Sequence, residues 1–88
     1  MARYRRAHRN NVIGVQVRKI RYAKGLTQEM FAARCSCNGW DISRSMLSKI
    51  EAQLRHVTDW ELLVIAKSLS VPLEELYPPK MLLQKTGR

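Results

Sequence analysis

The feature that most constrains this chain is its punctuation: apolar residues recur at helical spacing in five short stretches, each bounded by residues that start or stop a helix. Val12, Ile13, Val17 and Ile20 form the first stripe, with Arg18, Lys19, Arg21 and Lys24 mostly on the opposite side, and Gly25 suits the left-handed position that ends such a helix. Thr27 is placed to cap a second helix by accepting a backbone hydrogen bond, and Glu29 suits the positive end of its dipole. That helix runs to about Cys37 with Phe31 and Cys35 facing the core, and residues 38–41 (Asn-Gly-Trp-Asp) read as a turn. Ser43 caps a third helix that faces inward with Leu47 and Ile50, leaving Arg44, Ser45, Ser48 and Lys49 outward. After a polar loop over residues 53–57, Thr58 and Glu61 match a capping box, and Leu62, Ile65, Ala66 and Leu69 stripe the fourth helix. Trp60, Leu63 and Val64 widen its apolar surface, as a partner contact would. Pro72 opens a short fifth helix with Leu73 and Leu76 inward, and Pro78 and Pro79 stop it. The expectation is an all-α domain of five helices.

At 88 residues and 45% hydrophobic content, the chain closes one core without help from disulfides or a metal. It divides into a basic arm (residues 1–10), a folded domain (11–77) and a tail (78–88). Sixteen Lys and Arg against seven Asp and Glu give a formal charge of +9, and no acidic residue precedes Gln28. Such a block either attracts a polyanion or merely keeps the surface solvated. Cys35 and Cys37 are too close for a disulfide framework and have no second ligand pair, while His8 and His56 lack metal-ligand spacing. Neither a metal nor any other cofactor is expected. No apolar run reaches membrane-spanning length and the basic start lacks a signal peptide's apolar stretch, which points to the cytoplasm, or the nucleoid in a bacterium. Nothing pairs a nucleophile with a base at usable spacing or cradles phosphates with glycines, so neither an enzyme nor a small-molecule substrate is expected.

Two capped helices around a turn, the second showing small polar and basic residues, are what a helix-turn-helix reader of DNA requires. The competing reading is a plain helical bundle with solvated cations.

From Ile13 to Tyr77 the sequence resembles the Cro and lambda-repressor (XRE-like) family of helix-turn-helix proteins. The resemblance rests on Ile13, Gly14, Arg18 and Arg21, on Gly25, Leu26, Thr27, Gln28, Glu29, Phe31 and Ala32, and on Ile42, Ser43, Leu47, Ser48, Ile50 and Glu51. It continues through Leu62, Ile65, Ala66, Leu69, Val71, Leu73, Glu75 and Leu76. It implies a five-helix phage-repressor-like domain that binds double-stranded DNA as a homodimer and regulates transcription. Arg44 and Ser45 then stand where the family contacts base edges, and Ser48 and Lys49 where it contacts bases or backbone. Thr27 and Gln28 fall at phosphates, with Arg55, His56 and the arm residues Arg3, Arg5, Arg6 and Arg9 as further phosphate candidates. The arm either enters a groove or adds diffuse attraction. Arg21 and Glu51 stand where the family places a structural ion pair, the alternative for Arg21 being another phosphate. One departure is an insert of about five residues within residues 36–41, which either lengthens the second helix or enlarges the turn. Trp40 within it either plugs that turn or meets DNA or a partner. The other function class is a protein-interaction module, such as an antitoxin or adaptor built on the same fold. An RNA binder fits less well, because the outward face of the third helix lacks stacking aromatics.

Overall fold

A computed structural model describes residues 11–79. Over that span the chain forms four α-helices, α1 (Gly14–Ala23), α2 (Gln28–Cys37), α3 (Arg44–Glu51) and α4 (Asp59–Leu69), followed by a 3₁₀ turn at Leu73–Leu76, with no strand among the described residues. The arm arginines Arg3, Arg5, Arg6 and Arg9 lie outside the described residues, as do the tail leucines Leu82 and Leu83, which with Trp60 and Val64 are the sequence's candidates for a contact between subunits.

Three hydroxyls start three of the helices. Thr27, Ser43 and Thr58 hold extended backbone and accept from the N–H of Met30, Met46 and Glu61 at 3.0, 3.1 and 3.2 Å. Glu61 returns the favour by accepting the Thr58 N–H at 3.1 Å, completing the capping box. Gly25 (φ 70°) turns the chain between α1 and α2, and Gly39 (φ 94°) does so after α2.

The expected fifth α-helix is instead a single 3₁₀ turn, which corrects the five-helix reading to four α-helices among the described residues. Four residues between Pro72 and Tyr77 leave no room for an i to i+4 ladder, so the bonds span three residues: Glu75 N–H to the Pro72 carbonyl at 3.0 Å and Tyr77 N–H to the Glu74 carbonyl at 3.2 Å. Leu76 is fully buried there, whereas Leu73 stays 40% exposed and so does not face inward as expected.

The core is drawn from every element: Val17 of α1, Phe31 and Cys35 of α2, Leu47 and Ile50 of α3, Ile65 and Leu69 of α4, and Leu76. Val64 is also buried, a correction to its reading as outward surface; Trp60 and Leu63 remain about half exposed. α3 packs between α1 and α2, and α4 closes against α2. Gly14 permits the approach of α1 to the end of α3, since a Cβ there would run into the Ile50 carbonyl oxygen and the Gln53 side chain.

The insert divides its residues between both expected outcomes. α2 runs on through Cys37, and the rest forms a turn in which the Gly39 N–H reaches the Ser36 carbonyl and the Trp40 N–H the Cys35 carbonyl. Asn38 Nδ2 donates to Ser68 Oγ at 3.1 Å, tying the turn to α4.

Candidate nucleic-acid interface

α3 is eight residues long and sharply two-sided. Leu47, Ile50 and Glu51 are buried, while Arg44, Ser45, Ser48 and Lys49 are all exposed. Helical periodicity alone produces this division, because the buried positions 47, 50 and 51 recur at spacings of three and four.

The charge among the buried three is paired. Arg21 Nε donates to Glu51 Oε2 at 2.6 Å and its Nη2 donates to Glu51 Oε1 at 3.0 Å, a two-pronged contact between α1 and the end of α3. The third prong, Arg21 Nη1, donates to the Leu26 carbonyl at 2.7 Å, and Gln28 Nε2 donates to Glu51 Oε1 at 3.1 Å. Both ion-pair side chains are at most 6% exposed. The hydrogen bond to Glu51 outweighs burial and raises the Arg21 pKa above its ordinary value, so the guanidinium is held charged. With its prongs so occupied, Arg21 is not available to a phosphate.

Above this network lies a groove between the end of α1, the start of α2 and α3, walled by Arg18, Tyr22, Thr27, Gln28, Arg44 and Ser48. Thus Arg44, Ser48, Thr27 and Gln28, which are far apart in the sequence, share one concavity. At its edge Arg44 Nε stands 3.7 Å from Glu29 Oε2, both side chains being well exposed. An exposed pair of this kind is worth about 0–1 kcal/mol, little enough to yield to a stronger anion.

Arg55 is placed differently from a free surface cation. Its Nη1 and Nη2 donate to Glu61 Oε1 and Oε2 at 3.2 and 3.0 Å, and its guanidinium lies 5.7 Å from the Trp40 ring centre. Burial raises the Glu61 pKa, but the Arg55 and Thr58 hydrogen bonds outweigh it and hold this carboxyl below its ordinary value. His56 is exposed beside it. Trp40 packs against the core at the turn, with Trp60 edge-on at 6.3 Å and 71°. The ring therefore plugs the enlarged turn.

Sequence reading missed a polar clasp at the far end of α3. Asn11 Nδ2 donates to the Ile50 and Arg55 carbonyls at 2.8 and 3.0 Å, and Gln53 Nε2 donates to the Asn11 carbonyl at 2.9 Å. Gln53 reaches this position with φ 62°, unusual for a residue with a side chain. No local signal marks partners some forty positions apart. The Glu29–Arg44 pair was equally hidden, since its members sit on different helices.

Among the described residues no cluster of His, Cys, Asp or Glu has the makings of a metal site, and no helix is long and apolar enough to cross a membrane.

Comparison with known proteins places this geometry. A helix-turn-helix family model matches residues 17–76. The restriction-modification controller protein C.AhdI from Aeromonas hydrophila is similar in structure, with a TM-score of 0.66 and 31% identity over 74% of this chain and 91% of that one. A hypothetical transcription factor, NHTF, from Neisseria is similar at a TM-score of 0.69 and 25% identity, covering 86% of this chain and 83% of that one. No curated protein matches the chain. The match over residues 17–76, which include the capped α2, the turn and the two-sided α3, shows that the chain belongs to the helix-turn-helix family of Cro/lambda-repressor-like (XRE) type.

Proposed function

We propose that this protein is a transcription regulator that binds double-stranded DNA sequence-specifically, with α3 in the major groove. One observation carries the reading: α3 exposes Arg44, Ser45, Ser48 and Lys49, while its other side is fixed by buried side chains and a buried ion pair. A reading helix must be polar outward and immobile inward, and α3 has both properties.

Arg44 and Ser45, in the first turn, read base edges. Arg44 is the main determinant, because a guanidinium makes paired hydrogen bonds to guanine O6 and N7 worth roughly 1–3 kcal/mol of discrimination. Ser48 and Lys49, one turn on, meet bases or backbone. Thr27 and Gln28 at the start of α2 hold a phosphate and set register, and His56 lies free for another. Arg55, engaged by Glu61, serves as a strut instead. The arginines at positions 3, 5, 6 and 9 add positive charge outside the described residues. The similarity to a restriction-modification controller and to a transcription factor supports the regulatory reading. The protein acts as a homodimer on half-sites about 34 Å apart, and the exposed pair Trp60 and Leu63 offers apolar surface for the second copy.

The test is selection from random duplexes with the wild type and Arg44→Ala. The wild type should enrich one motif and the variant should lose preference at one base pair per half-site. Equal preferences in both would overturn the role of Arg44, and no enrichment by the wild type would overturn the DNA-binding reading itself.

A further inference from the structure

Tyr22 and Arg18 stand one helical turn apart at the end of α1, on the groove wall opposite α3, and the DNA-contact residues assigned above include neither. Their arrangement is not that of a solvated surface pair. The Arg18 guanidinium carbon lies 5.4 Å from the centre of the Tyr22 ring, and that of Arg21 lies 4.7 Å from it. Arg21 is itself immobilised by Glu51 and the Leu26 carbonyl, so it gives the ring a fixed seat. Tyr22 is nevertheless 61% exposed, with the two guanidiniums beside its hydroxyl on the protein side. No carboxylate among the described residues lies within ion-pair distance of Arg18, in contrast to Arg21, Arg44 and Arg55, which all have one.

We infer that Tyr22 and Arg18 form a second phosphate-binding post for the DNA backbone, gripping the strand that passes over the α1 side of the groove while α3 enters the major groove. The inference rests on the DNA-binding reading. An aromatic ring seated on one guanidinium and flanked by another presents its hydroxyl as a hydrogen-bond donor in a positive field. The two guanidiniums, Arg18 foremost, also lower the phenol's pKa, which makes that O–H a stronger donor to an anionic oxygen. Arg18 supplies the countercharge beside it. The contact is to phosphate and carries no base preference, so it strengthens binding to every sequence alike.

Anisotropy titration of a duplex carrying the selected motif and of a scrambled duplex, between about 50 and 200 mM salt, tests this. Arg18→Ala should weaken both duplexes by roughly five- to tenfold near 0.1 M salt and lower the slope of log K against log salt by about 0.9, the signature of one lost phosphate contact. Tyr22→Phe keeps the seated ring and removes only the hydroxyl. It should weaken both duplexes severalfold with the slope unchanged. Lys67→Ala, which removes an exposed cation on α4 away from the groove, should leave the slope as it was. Wild-type affinity in either Arg18→Ala or Tyr22→Phe overturns the post, and so does a slope change in Lys67→Ala equal to that in Arg18→Ala. If these variants bind like the wild type while the wild type still enriches a motif, the post fails and the DNA-binding reading stands.

Discussion

Removing the Glu51 carboxylate tests whether α3 is held to the domain by charge. Glu51→Ala deletes three contacts at once: the 2.6 and 3.0 Å bonds from Arg21 and the 3.1 Å bond from Gln28. It leaves the Arg21 side chain, 6% exposed, with the Leu26 carbonyl and the Tyr22 ring as its remaining partners. Stranding a buried charge in this way costs about 3–5 kcal/mol. A chain of this length has roughly 4–13 kcal/mol of total stability, so about a quarter of it or more should go. Urea unfolding followed by circular dichroism is the assay; with a slope near 1.5 kcal/mol per molar, the midpoint should fall by about 2–3 M. The penalty belongs to the stranded charge and not to the missing side chain, so replacing both partners by apolar residues, Arg21→Met with Glu51→Leu, should recover most of the loss. A double-mutant cycle between Arg21→Ala and Glu51→Ala should give a coupling of about 2 kcal/mol or more. A loss under about 1 kcal/mol in Glu51→Ala, or a coupling near zero, would refute the reasoning, because it would mean that solvent reaches the pair.

Three further outcomes follow from single features. Glu61 has a folded pKa below its unfolded value, so its contribution is present above the unfolded carboxylate value of about 4.3 and is lost as pH falls through the lower folded value. Urea midpoints measured from neutral pH downward should therefore drop more steeply in the wild type than in Glu61→Gln, and parallel curves would contradict the shift. Gly14→Ala would gain helix propensity at an open site but here should cost roughly 1–3 kcal/mol, because the new methyl meets the Ile50 carbonyl and Gln53; a raised thermal midpoint would show that α1 does not approach α3 so closely. Cys35 is fully buried and burial pushes its thiol up, whereas Cys37 is exposed, so an aromatic disulfide reagent should consume one thiol quickly and the second only on unfolding. Two fast thiols would be inconsistent with the packing of α2.

How much the sequence disclosed depended on whether the information was local. The caps at Thr27, Ser43 and Thr58 and the inward residues Phe31, Cys35, Leu47, Ile50, Ile65 and Leu69 were legible, since a cap and its partner lie three residues apart and a stripe lies within one helix. The stretch after α4 was misread for the opposite reason. Pro72 does start a turn, but the number of residues before Pro78 decides between α and 3₁₀ bonding, and a pattern of two leucines does not report that count. Val64 looked surplus because a single stripe does not show how many neighbours surround α4, and it is buried. The clasp of Asn11, Gln53 and the Ile50 carbonyl was invisible, being made by polar residues in a segment that pattern alone assigns to loop.

That clasp bears on the orientation of α3, the proposed reading helix. The insert before α3 lengthens α2 and adds a turn, and a longer connection held at one end only would leave α3 free to swing. α3 is held at both ends. At its start Ser43 caps it, Ile42 is buried and Trp40 fills the space beneath the turn. At its finish Glu51 is bound to Arg21 and Gln28, the Ile50 carbonyl accepts from Asn11, and Gly14 lets α1 close against the same carbonyl. A rod fixed at both ends cannot be re-aimed by slack in the connection leading to it. The extra residues are accommodated outward, where Asn38 bonds Ser68 of α4 and Trp40 meets Trp60, and not along the axis of α3. Substitutions in the insert should therefore change the α4 side of the molecule, and with it the proposed contact between copies, before they change the proposed base contacts of α3.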